Sequence, residues 1–277
     1  MNAATQNAAK QNAGSLNYGK VDISLTSISS RMETVGRTLR SLLAQDYPDL
    51  QVHLHLSPEP YLLDKGVPVL PEDLAQLQRE SGGRLKIYSC RNTGPYRKLL
   101  PYLRRNWGQS KLVATADDDT IYPANWLRTL ISAYDQYGCI IGYRGHRMRV
   151  SGSTLAPYRS WMGGSIEENP SRLILPTGKD GILYDTAFFP VNVLNIEDAM
   201  QMAPTADDLW FRWNLALNGI QTYLINMDYR ADTFTETDYD TSLYLNFNRG
   251  GSNDVAIAAL EKYFQNGFRF SVTGVVV

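Results

Sequence analysis

The sequence predicts an α/β fold, a mostly parallel sheet with helices on both faces. Three observations carry this. Short β-branched or apolar runs alternate with helix-periodic runs through the first 145 residues, the order that builds strand–helix–strand units. Hydrophobic residues make up 43% and charged residues 20% of the 277, enough to bury a sizeable core. No run of about 18 apolar residues occurs, so no membrane-spanning helix is expected.

The elements follow in order. VDISLTSI (21–28) is rich in β-branched residues and reads as the first strand. A helix is expected from Met32 to Ala44, with Val35, Leu39, Leu42 and Leu43 on one side. QVHLHLS (51–57) is the second strand, its alternation separating Val52, Leu54 and Leu56 from His53 and His55. A proline-rich stretch from 58 to 84 holds a short helix, PEDLAQLQRES, with Pro71 suited to its first turn. LKIYSC (85–90) is the third strand, and Tyr96 to Asn106 reads as a basic helix carrying Arg97, Lys98, Arg104 and Arg105. KLVATADDD (111–119) is a buried strand that runs into three acids. Trp126–Tyr137 is the next helix and CIIGYRG (139–145) the next strand.

The second half is less regular. Residues 146–180 are expected to form a long loop or short strands, followed by the strand GILYDTAFFP. Helices are expected at 196–202, from Asp207 to Asn218 and at 253–265, with a strand at 221–229. The first twenty residues are polar, lack a signal-peptide core and read as a flexible leader to a domain spanning 21–277. The two cysteines, Cys90 and Cys139, border apolar runs; they predict buried thiols and a cytoplasmic, reducing setting rather than a disulfide framework.

A formal net charge of −1 excludes the basic surplus of a nucleic-acid binder. The chemistry lies in three short segments. In VATADDDTIYP an apolar strand ends in Asp117, Asp118 and Asp119, and open α/β sheets bind ligands beyond such strand ends. Adjacent carboxylates repel unless a cation neutralises them, and Mg²⁺ or Mn²⁺ accepts carboxylate and phosphate oxygens together. Strand alternation would turn Asp117 and Asp119 one way and Asp118 the other. In APTADDLWFRWNLALNGI, Asp207 and Asp208 head an amphipathic helix, with Thr205 a possible cap. TGKDGILYDTAFF is a glycine-bracketed turn entering an apolar strand. Each also has a plain structural reading: a solvated acidic turn, a helix start favoured by its dipole, an ordinary turn.

Taken in order, VDISLTSISSRMETVGRTLRSLLAQDYPDL, GPYRKLLPYL, VATADDDTIYP, GKDGILYDTAFF and ADDLWFRWNLALNGI resemble the GT-A glycosyltransferases, within them the inverting family 2 enzymes. The resemblance implies a metal-dependent inverting transfer from a nucleotide sugar, a UDP-sugar favoured, to a hydroxyl of a glycan or lipid-linked acceptor, as in bacterial surface polysaccharide synthesis. It implies a nucleotide-sugar half (21–145) and an acceptor half (146–277). It assigns Thr26, Ser29, Arg31, Ser57, Lys98, Asp117, Asp118 and Gly181 to donor binding. Asp119 and Asp117 become the ligands of Mn²⁺ or Mg²⁺. Asp208, with Asp207 as the lesser candidate, becomes the base.

Many relatives add a histidine ligand after the base, but His53, His55 and His146 all precede Asp208. An acid within 228–240, or water, is expected to take that place. The loop 250–253 could close on the diphosphate, with a helix N-cap at Ser252 or Asn253 as its plain reading. The basic face of the 96–106 segment would suit peripheral membrane contact, or simply solvent. Rival readings fit less well. A phosphatase of the Asp-x-Asp-x-Thr type needs its threonine one place later than Thr120. A nucleotidyltransferase needs an early glycine-rich loop where SISSRMETVG stands. Acids at both motifs argue against an inactive carbohydrate-binding relative.

Overall fold

The structure is a computed structural model that describes residues 19–226, 234–236, 244–248 and 250–274. Nearly all of the leader and most of the acidic 228–240 segment, where a further ligand is expected, lie outside the described residues.

Seven strands form the central sheet: β1 (Val21–Thr26), β2 (Leu50–Leu56), β3 (Leu85–Ser89), β4 (Leu112–Thr115), β6 (Ile140–Arg147), β9 (Ile174–Asp185) and β10 (Thr222–Leu224), in the order β10-β6-β9-β4-β1-β2-β3. All neighbours pair in parallel except at β9, which runs antiparallel to both β4 and β6. β5 (Thr120–Ile121) pairs with β11 (Thr235–Glu236), and β7 (Val150–Ser151) with β8 (Thr154–Leu155), as two small ribbons.

Helices α1 (Val35–Leu43), α2 (Glu72–Glu80) and α4 (Trp126–Tyr137) bury Val35, Leu39, Leu42, Leu74, Trp126 and Leu130 with one face of the sheet. The other face packs on α3 (Leu100–Arg105), α5 (Ile196–Met202), α6 (Asp207–Leu217) and α7 (Ser252–Phe268), through Leu103, Trp210, Trp213, Leu260 and Phe264. Burial of such side chains stabilises by about 1.5–3 kcal/mol each before entropy is counted.

Differences from the sequence expectation have local causes. The first helix begins at Val35 rather than Met32, after a 3₁₀ turn at Ser29–Arg31 whose Arg31 side chain turns inward to Asp118. Pro71 precedes α2 as its N-cap residue. The expected helix from Tyr96 to Asn106 is two pieces, a 3₁₀ turn at Gly94–Lys98 and then α3, each with a proline in its first turn. Pro101 has no N–H to give the Arg97 carbonyl, so a continuous helix is interrupted there, and Leu99 marks the break at φ −128°.

The largest difference is β9. It starts at Ile174, inside the expected loop, and carries Gly178–Gly181 as a bulge. Gly142 pairs with Ile182 and Arg144 with Thr177, so four residues of β9 face the single residue Tyr143. Within the bulge Asp180 and Gly181 have φ of +67° and +104°, which aspartate tolerates and glycine supplies freely.

Candidate active site

Beyond the C-terminal ends of β1, β4 and β6 lies a cavity of about 570 Å³. It sits over the β1–β4 neighbourhood, where the strand order reverses direction, as expected for an open α/β sheet. Thr26, Arg31, Lys98, Asp117, Asp118, Asp119, Asp207 and Asp208 all line it. Both acidic motifs, some 90 residues apart in the chain, therefore face one space.

The triplet lies in the turn after β4 rather than on the strand itself. The expected separation of its side chains is nonetheless found. The side chain of Asp118 is 7% exposed, against 24% for Asp117 and 21% for Asp119. Asp118 pairs with Arg31 and accepts from Ser27 Oγ at 2.5 Å, while its carbonyl accepts from Thr38. It anchors the turn to the 3₁₀ turn and α1 while still lining the cavity. Asp117 meets Lys98 Nζ at 2.5 Å, and Arg31 reaches Asp119 at 3.2 Å. Burial works against the charge on Asp117, but the Lys98 ammonium outweighs it and holds the carboxyl below its usual range. Burial and the neighbouring Asp117 charge push Asp119 up to about 6.

Those two carboxylates fit a divalent cation: they are hard oxygen donors, open to the cavity, and crowded enough that one is driven toward its neutral form. Mg²⁺ commonly takes one or two carboxylates and completes its shell with water and phosphate. Among the described residues, no three His, Cys, Asp or Glu side chains converge in a metal-holding group.

Asp208, in the first turn of α6, lines the same cavity and accepts the Gly178 amide at 2.8 Å. That N–H comes from the bulge of β9. A Cβ at Gly178 would come within 2.7 Å of Lys98 Nζ and 3.3 Å of Asp208 Oδ1, so a side chain there would displace the lysine ammonium and crowd the aspartate. Burial and the negative Asp207 push Asp208 up to about 7, against the pull of Lys98. Asp207 is more deeply buried, and its Oδ2 has no hydrogen-bond partner among the described residues. Thr205 is not the cap; Ala206 is, and the Thr205 hydroxyl bonds Asn248.

Three expected donor contacts lie outside the cavity lining. Ser29 uses its amide on Asp64 and its hydroxyl on the Lys65 amide, tying down the 58–66 loop. Ser57 is fully buried and accepts from the Glu59 amide. Gly181 packs against the Trp126 indole, where a Cβ would come within 2.5 Å of the ring. Thr26 lines the cavity, but its hydroxyl donates to the His55 carbonyl and ties β1 to β2. The basic face also dissolves. Arg97 is 1% exposed and bonds Asp64 at 2.9 Å, Lys98 is on Asp117, and Arg105 stacks over Tyr88 at 3.8 Å. Neither Ser252 nor Asn253 caps α7; Gly251 does, at φ +95°.

The structure adds residues that sequence reasoning missed. Asp64 organises the rim, holding Arg97, Asn92 and two loop amides at once. His146 and Tyr158 also line the cavity, beside Lys179 and Asn253 of the two glycine-containing segments singled out in the sequence. Nothing in the aperiodic 58–84 stretch marks Asp64; the two prolines around Arg97 were the one clue that it is not on a regular solvated helix.

No protein-family model matches the chain, and no curated protein sequence matches it. Solved structures do. Staphylococcus aureus TarS 1–349 in complex with UDP-GlcNAc matches at a TM-score of 0.52 and 16% identity, over 92% of this chain and 74% of that one. TarS 1–349 without a named ligand and in complex with UDP match at 0.47 and 0.48, with 15% and 17% identity, over 92% of this chain and 73% of each. The first of these is a likeness of fold, and the GT-A architecture expected from the sequence is the one observed.

Proposed function

We propose that this chain is a nucleotide-sugar glycosyltransferase that uses a UDP-sugar and transfers the sugar with inversion to a hydroxyl of a glycan or lipid-linked acceptor. The observation that carries the reading is one cavity lined by two unlike carboxylate sets. Asp117 and Asp119 pair with Lys98 and Arg31; Asp208 is held by a backbone amide. The shared fold with a protein crystallised in complex with UDP-GlcNAc supports the choice of donor.

The residues act as follows. Lys98 and Arg31 bring positive charge to the wall that receives the diphosphate, which is the leaving group. Asp117 and Asp119 would hold Mn²⁺ or Mg²⁺, and such an ion offsets charge developing on a diphosphate as a Lewis acid. Asp208 accepts the acceptor hydroxyl proton on its free oxygen while the Gly178 amide fixes the other. The hydroxyl oxygen bonds to the anomeric carbon as the bond from that carbon to phosphate oxygen breaks; the electron pair leaves with the diphosphate. One base and one displacement invert the anomeric centre. A base titrating near the working pH is well matched to this task.

Titration calorimetry with UDP and UDP-GlcNAc, with Mn²⁺ and with EDTA, tests the donor and the metal together. Binding in Mn²⁺ and its loss in EDTA is expected. Equal affinity in both would remove the metal, and no affinity in either would remove the donor.

A further inference from the structure

The alternation in β2 turns His53 and His55 toward α3, where they meet Tyr102 and Arg105, and the reaction proposed above uses neither. The contacts around His55 form one line. Arg105, at the end of α3, places Nη2 2.5 Å from His55 Nε2 and its guanidinium over the Tyr88 ring. His55 Nδ1 stands 3.4 Å from Ser24 Oγ, and Ser24 Oγ donates to the Lys98 carbonyl at 2.6 Å. Ser24 and His55 are fully buried, and among the described residues neither they nor Arg105 line the cavity. Lys98 does, with its ammonium on Asp117.

Both ends fix the direction of this line. A guanidinium only donates, so His55 Nε2 accepts and the ring hydrogen sits on Nδ1, facing Ser24. A carbonyl only accepts, so the serine hydrogen goes to Lys98. Burial and the Arg105 charge push His55 down to about 3, and the ring is therefore neutral, as this arrangement requires. The Lys98 carbonyl takes a side-chain donor because of the break at Leu99. Helix α3 opens one residue later, with the Leu103 amide on the Leu99 carbonyl at 3.0 Å. Ser24 supplies the donor that a continuous helix would have supplied from its own backbone. The bond lies at the joint between the 3₁₀ turn and α3, where a change in the Leu99 backbone would swing the Lys98 side chain away from Asp117.

We infer that Ser24, backed by His55 and Arg105, is a positioning residue for Lys98: it holds the backbone from which the ammonium reaches the donor diphosphate. This role rests on the donor reading of the cavity. Ser24 touches no substrate and acts through Lys98 alone, which separates it from a residue that only stabilises the sheet.

The test is a double-mutant cycle on the full chain, with UDP affinity in Mn²⁺ read by titration calorimetry and folding by thermal melts. Ser24→Ala should weaken UDP by about tenfold, the scale of one hydrogen bond. Ser24→Thr keeps the hydroxyl on a residue suited to a strand and should stay within about threefold of the unaltered chain. Arg105→Met cuts the line at its exposed end and should weaken UDP by about threefold. In a Lys98→Met background, Ser24→Ala and Arg105→Met should leave the remaining UDP affinity unchanged, because the group they position is gone. Equal losses with and without Lys98 would mean a general loosening of the fold and would overturn the proposal. So would full UDP affinity in Ser24→Ala. If Ser24→Ala does not fold, Arg105→Met with and without Lys98 decides on its own. No UDP binding by the unaltered chain removes the donor reading and this role with it, whereas UDP binding without the coupling removes this role alone.

Discussion

The aspartates after β4 and those heading α6 are the same residue type facing one cavity, yet their surroundings divide them. The first group is matched by cations: Arg31 serves Asp118 and Asp119, and Lys98 serves Asp117. The second has no direct ion pair among the described residues and only a backbone amide on Asp208. Burial beside a cation keeps Asp117 ionised. Burial beside another acid leaves Asp208 ready to take a proton near neutrality. On the proposed reading, the contrast gives charge stabilisation to the first set and proton transfer to the second.

The sharpest way to break that division is Asp208→Asn. Turnover should fall by about 100-fold or more, the scale of a positioned base, while UDP affinity survives; a parallel loss of UDP binding would merge the two sets. The same variant has a pH signature. Burial and the Asp207 charge push the folded carboxyl up to about 7, above the ordinary aspartate value of about 4, so the folded state binds the extra proton and wild-type stability falls as pH rises from about 4 to 7. Asn removes that penalty. Asp208→Asn should therefore melt above the wild type at pH 8, with the gap closing below pH 4, and the wild-type rate should climb through pH 7. A rate flat across that range would exclude Asp208 as the titrating base.

Asp118→Ala tests the structural member of the triplet. It removes the Asp118 carboxylate from the buried Arg31 guanidinium, and stability should drop by about 3 kcal/mol in denaturant melts. Asp119→Asn is expected to keep the fold and weaken Mn²⁺-dependent UDP binding by about tenfold; calorimetry in Mn²⁺ against EDTA reads this. The smallest effect belongs to Gly178→Ala. Its methyl group would displace the Lys98 ammonium and crowd Asp208, so kcat should fall by about tenfold or less, with little change in KM for the donor. A normal kcat would mean that the close approach is incidental.

Periodicity made most of the scaffold readable in advance. Trp126–Tyr137 and Ile196–Met202 are helices with the expected bounds, because their apolar spacing and their ends agree. The acid clusters were legible as a site because each stands where an element begins or ends. Contacts made by long-range folding were not. Ser57 and Ser29 sit near the cavity in sequence logic but turn to backbone amides. Asp64 comes from a stretch with no period at all. The expected basic face failed because Pro95 and Pro101 break the helix that would have presented it.

The bulge in β9 also sets the strand's phase. Regular antiparallel pairing would place Asp180 opposite Arg144, where Thr177 stands instead, so three residues are in excess. An odd excess inverts the alternation. Leu175 and Ile182, an odd number of positions apart, consequently join the same hydrophobic cluster, while Leu183 joins the other. Excising a residue from the bulge shortens the excess and leaves Leu175 opposite His146, whereas excising Pro176 from the registered run would move Leu175 opposite Gly145 and turn it out of its core. The segment that carries the amide for Asp208 can therefore change length without re-phasing the strand on either side of it, because none of its residues is in register with β6.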